Sequence, residues 1–374
     1  MIERTIEKVI KNWLGKNKII IIYGARQVGK TTLMKKIASY LQQDYLWLDC
    51  DEPDVRTILT NKSSTFLKSL IANKKYLFID EAQRVKDIGI TLKIIFDNIK
   101  NVQIVASGSS SFELANEISE PLTGRKIEFV LYPFSFGELV GYTNLLEEKR
   151  ILEKRIIYGY YPDVVIQKGN EIEILRELTT SYLYKDLFEY EKIRKPALLE
   201  KLLQALALQI SSEVNNNELS RLIGIDKQTI EKYLDLLEKS FVIYRLNSFS
   251  RNLRNELKKS KKIYFIDNGV RNALIKSFNP IDLRDDIGKL WENFFISEMK
   301  KKNGNERKWV NSFFWRTIDK QEIDYIEEFN SILKAYQIKW NPEAKIKIPP
   351  SFAKTYKDTE FIYINSENFW EYLI

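Results

Sequence analysis

The feature that most constrains this chain is an eight-residue loop set between a strand and a helix. The run Lys18 to Tyr23 is β-rich and apolar, and Leu33, Ile37 and Leu41 recur at helical spacing. Between them, Gly24-Ala25-Arg26-Gln27-Val28-Gly29-Lys30-Thr31 fits G-x-x-x-x-G-K-[ST]. Glycines let such a loop curl so that its N–H groups converge on phosphate oxygens, and the following helix start adds a positive dipole end. The expectation is a site for ATP and magnesium over Gly24 to Thr32. In it Lys30 meets the β- and γ-phosphates and the Thr31 hydroxyl ligates the metal.

A phosphate loop of this kind belongs to a parallel sheet, and further short strands are expected at Tyr45 to Leu48, Tyr76 to Ile79, Val102 to Ala106 and Ile127 to Leu131. Five parallel core strands are predicted. The Tyr76 strand ends in Asp80-Glu81, about fifty residues after Lys30. Asp80 is placed to hold the magnesium shell and Glu81 to polarise the attacking water. The next strand ends in Ser107-Gly108-Ser109-Ser110, where Ser107 is either an ordinary turn residue or a contact to the γ-phosphate. Arg125, just before the last core strand, is either a surface arginine or a catalytic finger reaching the ATP site of a neighbouring copy, which implies self-association there.

Composition narrows the chemistry. The 374 residues contain no histidine, which excludes histidine general bases, Ser-His-Asp and Cys-His nucleophiles and histidine-metal hydrolases together. Cys50 is the only cysteine, so an intrachain disulfide and a cysteine zinc site are excluded. No stretch reaches the roughly 18 apolar residues that span a bilayer, and charges interrupt the N-terminal pattern of Ile2, Ile6, Val9, Ile10, Trp13 and Leu14. A soluble, cytoplasmic protein without a membrane partner is expected. Its net charge of +8 permits a polyanionic partner without requiring one.

Beyond Phe134 the pattern turns to long amphipathic helices through Tyr158 to Tyr161, Leu175 to Tyr190 and Leu198 to Ile210, which read as a lid or linker. Helices at Asn217 to Ile223 and Gln228 to Leu237, joined by Gly224 to Asp226 and followed by strands at Val242 to Leu246 and Ile263 to Ile266, read as a winged helix-turn-helix. Asp226, Lys227, Gln228 and Thr229 open its recognition helix. The wing offers Arg251, Arg254, Lys258, Lys259, Lys261 and Lys262 to DNA phosphates. Glu231, Asp235 and Glu238 on the same helix favour the other reading, a purely structural lid.

The remainder reads as a small α/β domain with a helix near Leu290 to Met299 and strands near 313–316, 322–327, 331–340 and 361–364. Glu292 lies on the helix, Glu322 and Asp324 on one strand, and Gln337 and Lys339 on the next, so Asp324, Gln337 and Lys339 can meet at one point. This resembles the PD-(D/E)xK nuclease pattern, in which carboxylates hold magnesium beside a lysine. Gln337 departs from it, because a neutral amide stands where an acid is wanted, and an inactive nuclease-like fold is favoured.

The segments GARQVGKTTL, LFIDEAQR, SGSSSFEL, LTGRKIEF, LYPFSFGEL, YYPDVV and LYKDL, in this order, resemble the prokaryotic AAA-like ATPases fused to a C-terminal domain of unknown function. The resemblance spans nearly the whole chain. It implies an ATPase core, a winged helix and a restriction-endonuclease-like module. The expected division is 1–135 for the core, 136–195 for the lid, 196–275 for the winged helix and 276–374 for the nuclease-like domain. An ATPase that drives or switches an effector acting on DNA is the reading adopted. An ATP-dependent DNA nuclease and a non-catalytic ATP-gated interaction module stand as alternatives.

Overall fold

The computed structural model describes residues 2–42, 44–108, 121–183, 196–250, 261–317 and 319–374. Ser109, Ser110, the second half of the helix expected over 175–190, and Arg251, Arg254, Lys258 and Lys259 lie outside them. The protein is α/β and divides into two compact units. The first comprises 1–132 with 239–241, the second 133–238 with 242–374.

The first unit is built on five parallel strands, β1 (Ile19–Tyr23), β2 (Tyr45–Asp49), β3 (Tyr76–Asp80), β4 (Gln103–Gly108) and β5 (Lys126–Val130), in the order β2-β3-β4-β1-β5. Position follows from composition. The four consecutive isoleucines of β1 have no polar face to offer water, and they are fully buried between β4 and β5. On one side, Ile19, Ile21, Leu77, Ile79, Ile104 and Ala106 pack with Leu67, Ile71, Leu92 and Ile95 of the helices Ser64–Ile71 and Ile88–Asn98. In a parallel sheet the strands all point one way. The C-terminal ends of β3, β4 and β1 therefore lie side by side, with Ile79 opposite Ala106 and Ile22 opposite Ser107.

The second unit opens on short helices where long ones were expected: Phe136–Tyr142, Leu145–Arg150, Leu152–Tyr158, Pro162–Ile166 and Glu171–Glu177. Local chemistry starts several of them afresh. Ser135 and Glu138 form a reciprocal capping box, Asn144 caps the second helix through the Glu147 amide, and Pro162 occupies the first turn of the fourth. The segment that begins this run is anchored by the helix Ile287–Asn305. Glu298 accepts the Phe136 amide at 2.6 Å, while Lys301 donates to the Phe134 carbonyl at 3.1 Å and to Glu298 at 2.7 Å.

Seven strands follow: β6 (Ser212–Val214), β7 (Ile243–Ser248), β8 (Lys261–Phe265), β9 (Asn311–Arg316), β10 (Glu322–Phe329), β11 (Ile332–Ile338) and β12 (Thr359–Ile364). They form one sheet, ordered β12-β11-β10-β9-β7-β8-β6. The strands expected in a wing and those expected in a separate C-terminal domain are thus continuous, because β7 pairs in parallel with β9 at Asn247–Phe313 and Ser248–Phe314. A two-stranded wing leaves the backbone of β7 open on one edge, and β9 satisfies it. Helices Asn216–Ile223 and Lys227–Lys239 precede β7.

Candidate functional site

The phosphate loop emerges at the centre of the five-stranded sheet, where three adjacent strand ends meet. Gly24 is required there for space, since a Cβ would collide with the Leu131 carbonyl oxygen; the Leu131 amide in turn donates to the Tyr23 carbonyl at 2.7 Å. Gly29 sits at the helix start with φ 92°, a left-handed conformation that side chains disfavour. Between them the loop curls around its own lysine. Lys30 is buried, and its ammonium donates to the carbonyl oxygens of Gly24 and Ala25, both at 3.0 Å. Val28 is buried beneath the loop, Arg26, Gln27 and Thr31 are partly exposed, and Thr32 faces solvent.

One residue of this assembly has no motif to announce it. Arg4 is buried and donates to the Val28 carbonyl at 2.9 Å and the Tyr132 carbonyl at 2.5 Å, tying the loop to the end of the last core strand's extension. Its partners are backbone atoms far along the chain, so no side-chain pattern marks it.

Opposite the loop, the end of β3 carries the acidic pair. Asp80 is only 2% exposed, and its carboxylate accepts the Ser107 hydroxyl of the neighbouring β4. The Glu81 amide donates to Asp80 at 3.2 Å and to the Ser107 hydroxyl oxygen at 3.1 Å. Glu81 itself adopts a left-handed backbone with φ 49°, which costs a non-glycine residue about 1 kcal/mol. Its carboxylate accepts the Gln83 amide at 2.5 Å. The strain turns the side chain out of the strand line, and the amide of Gln83 holds it.

Arg125 does not join this cluster. It lies at the opposite end of the sheet, where its carbonyl accepts the Ile19 amide, and its guanidinium grips Asp97 at 2.8 and 3.2 Å.

In the second unit the expected carboxylate cluster converges around a residue that was expected elsewhere. Lys262, assigned from sequence to phosphate contacts, is 2% exposed and inward-facing. Its ammonium donates to Glu292 at 2.9 Å and pairs with Glu322. The alternation of β8 explains the difference: Lys262 and Tyr264 share one face, while Lys261 points the other way and pairs with Glu231 at 3.5 Å. Tyr264 donates to Glu292 at 2.7 Å. Asp324 is buried, accepts the Ile338 amide at 2.7 Å and meets Lys339 at 3.3 Å. The amide oxygen of Gln337 is buried without a hydrogen-bond partner. Burial pushes the Glu292 carboxyl up to about 7 against the pull of Lys262, and burial likewise raises Asp324. Among the described residues no group of three carboxylate or thiol side chains is arranged to hold a metal ion.

The helix Lys227–Lys239 begins at Asp226, which accepts the Thr229 amide at 2.9 Å and hydroxyl at 2.6 Å, so Thr229 is committed to the cap. Lys227 and Gln228 are exposed. Glu231, Asp235 and Glu238 all turn towards Arg245 of β7, at 2.8, 2.5 and 2.7 Å.

Comparison with known proteins follows the same division of labour along the chain. Residues 16–140 match the family model described as an AAA domain. Residues 149–280 and 287–370 match two models described as domains of unknown function, DUF8612 and DUF4143. An uncharacterized protein of Methanocaldococcus jannaschii is 25% identical over 97% of this chain and 84% of its own length. One of Haemophilus influenzae is 28% identical over 69% of each chain, and one of Mycobacterium tuberculosis is 24% identical over 88% of this chain and 72% of its own. Among solved structures, the Thermotoga maritima RuvB Holliday junction branch migration motor has a TM-score of 0.34 at 17% identity, covering 64% of this chain and 88% of that one. The Aeropyrum pernix ORC1 protein in complex with DNA has 0.30 at 13%, covering 72% and 91%. Likenesses this distant carry no functional weight. The AAA domain match and the loop geometry together support ATP binding and hydrolysis as the chemistry of the first unit. Among the described residues no helix is long and apolar enough to cross a membrane.

Proposed function

We propose that the chain is a magnesium-dependent ATPase whose nucleotide state governs an effector half acting on duplex DNA. The observation that carries the reading is the pair of carbonyl contacts that hold Lys30 inside its own loop, facing the Asp80–Ser107–Glu81 network on the adjoining strand ends. Those carbonyls are neutral, and a phosphate oxygen offers the same buried ammonium a full opposite charge. In this reading Lys30 holds the β- and γ-phosphates, with the loop amides from Gly24 to Thr31 around them, and Thr31 and Asp80 hold the magnesium. The metal, when bound, neutralises charge on the phosphates. Asp80 suits that duty because it is acidic, buried and already aligned by Ser107. Glu81 polarises the attacking water, and Gln83 fixes its direction. Arg125 takes no part in the site of its own chain, where it pairs with Asp97 at the far end of the sheet; its reach in this reading is to the site of a neighbouring copy.

The effector half is read as a helical lid over 136–195, a winged helix over 196–275 and a nuclease-like portion over 276–374. Support for DNA as its partner comes from Lys227 and Gln228, exposed at the open end of the helix, while Arg245 and Lys261 offset two of the three charges of Glu231, Asp235 and Glu238. ATP hydrolysis by the full chain, measured with and without duplex DNA, tests both halves. Hydrolysis that is accelerated by duplex is expected. Failure of the wild-type chain to bind nucleotide would remove the ATPase assignment, and hydrolysis indifferent to DNA, with no duplex binding at low salt, would leave the winged helix as a structural lid.

A further inference from the structure

The carboxylate cluster of the second unit draws on the residues read in the sequence as a nuclease-like metal site, yet a side chain already fills the centre. Lys262 enters from β8, nearly inaccessible to solvent, and its ammonium lies within ion-pair reach of Glu292 and Glu322 at once. The carboxylates also have other partners. Glu292 accepts the Tyr264 hydroxyl, Asp324 accepts the Ile338 amide and faces Lys339, and Glu322 faces Arg316 at 3.6 Å. The buried Lys262 ammonium is thus shared by Glu292 and Glu322, and Lys339 stands beside Asp324, so cations of the chain itself already face the three carboxylates.

A divalent cation fits this set poorly. Magnesium demands near-octahedral oxygen coordination and gives up its water reluctantly, while Glu292 and Glu322 already share the buried Lys262 ammonium between them. Its two charges would also lie beside a buried ammonium, where screening by water is weak. Gln337 adds a buried amide oxygen without a hydrogen-bond partner, and one neutral amide does not make a site.

We infer that Lys262 is the resident cation of this pocket, a side chain that takes the place of the metal and closes the nuclease-like cluster to magnesium and manganese. The wing strand that delivers it is thus part of the pocket's interior. This role of Lys262 is independent of the ATP site.

The test is manganese binding to the nucleotide-free full chain, followed by electron paramagnetic resonance, for wild type, Lys262→Ala, Lys262→Gln and each neutral variant combined with Asp324→Asn. Wild type is expected to show no manganese site that depends on Asp324. Removing the ammonium should open one, with affinity raised at least about tenfold and lost again on Asp324→Asn. Where Lys262→Ala is unstable alone, manganese should raise its melting temperature, while Lys262→Arg should stay folded and metal-free. Manganese held by wild type and released by Asp324→Asn would overturn the inference. So would neutral variants that bind no manganese when folded, or that manganese fails to stabilise when they are not.

Discussion

The Ser107 hydroxyl donates its proton to the buried Asp80 carboxylate across two neighbouring strand ends, and the same oxygen accepts the Glu81 amide. One small side chain thus holds the Asp80 carboxylate and the Glu81 backbone together. Ser107→Ala would remove the hydroxyl donor of the buried Asp80 carboxylate and leave it the Glu81 amide alone of these two, a cost of about 1–3 kcal/mol. A lower melting temperature is expected, together with slower hydrolysis at nearly unchanged ATP affinity. Wild-type turnover in this variant would show that the two acids are aligned by other means.

Lys30→Ala should abolish ATP binding, because no other cation among the loop's own residues is buried against its carbonyls. Equilibrium binding of a fluorescent nucleotide reads this directly. Retained affinity would sink the phosphate-loop assignment.

Glu81→Gln should bind ATP as wild type does while hydrolysing it about 10²–10⁴-fold more slowly, the usual range for a lost general base. Single-turnover kinetics separates the two effects. A variant with normal turnover moves the role to another residue.

Acidity gives a further test in the second unit. Glu292 holds its proton more tightly folded, at about 7, than the ordinary 4.5 of the unfolded chain. Its contribution to stability is therefore complete below about 4.5 and is lost as pH rises through 7, by at most about 3 kcal/mol. Asp324, also raised, acts in the same direction. In Glu292→Gln the decline in unfolding free energy between pH 5 and 8 should be visibly flatter. An identical slope would mean that Lys262 keeps Glu292 ionised throughout.

Duplex binding, where present, should weaken on Lys227→Ala with Lys261→Ala, with a salt slope shallower by up to about 0.9 for each phosphate that is no longer neutralised. Unchanged affinity and slope would take the helix Lys227–Lys239 out of the interface.

The first unit was largely legible in the sequence because its strands are uninterrupted apolar runs and its loop residues keep strict spacing. Ile19 to Ile22 admit no other position than the centre of a parallel sheet. The second unit was legible element by element but not in its connections. A three-residue strand such as β6 has too few residues for a pattern, and the β7–β9 pairing joins segments more than sixty residues apart. Of the helices expected after Phe134, the one over 198–210 is found as Pro196–Leu208, while the stretch from 136 to 177 is divided into five short helices because caps such as Asn144 and the first-turn Pro162 restart the chain inside one apolar pattern. Lys262 could have been placed correctly: in Lys261-Lys262-Ile263-Tyr264-Phe265, period-two alternation puts it beside Tyr264. The surrounding run of lysines suggested a solvated wing instead.

The pairing of β7 with β9 also bears on how the protein can be taken apart in the laboratory. A fragment starting near residue 276 would lack β6, β7 and β8 and so carry β9 as a naked edge, with Glu292 and Glu322 stripped of their lysine. Such a piece should aggregate on expression, and a fragment ending near 275 should do the same through β7. The apparent boundary between the two matched stretches of sequence therefore falls inside one sheet, and an excised effector half is expected to need β6 through β12 together.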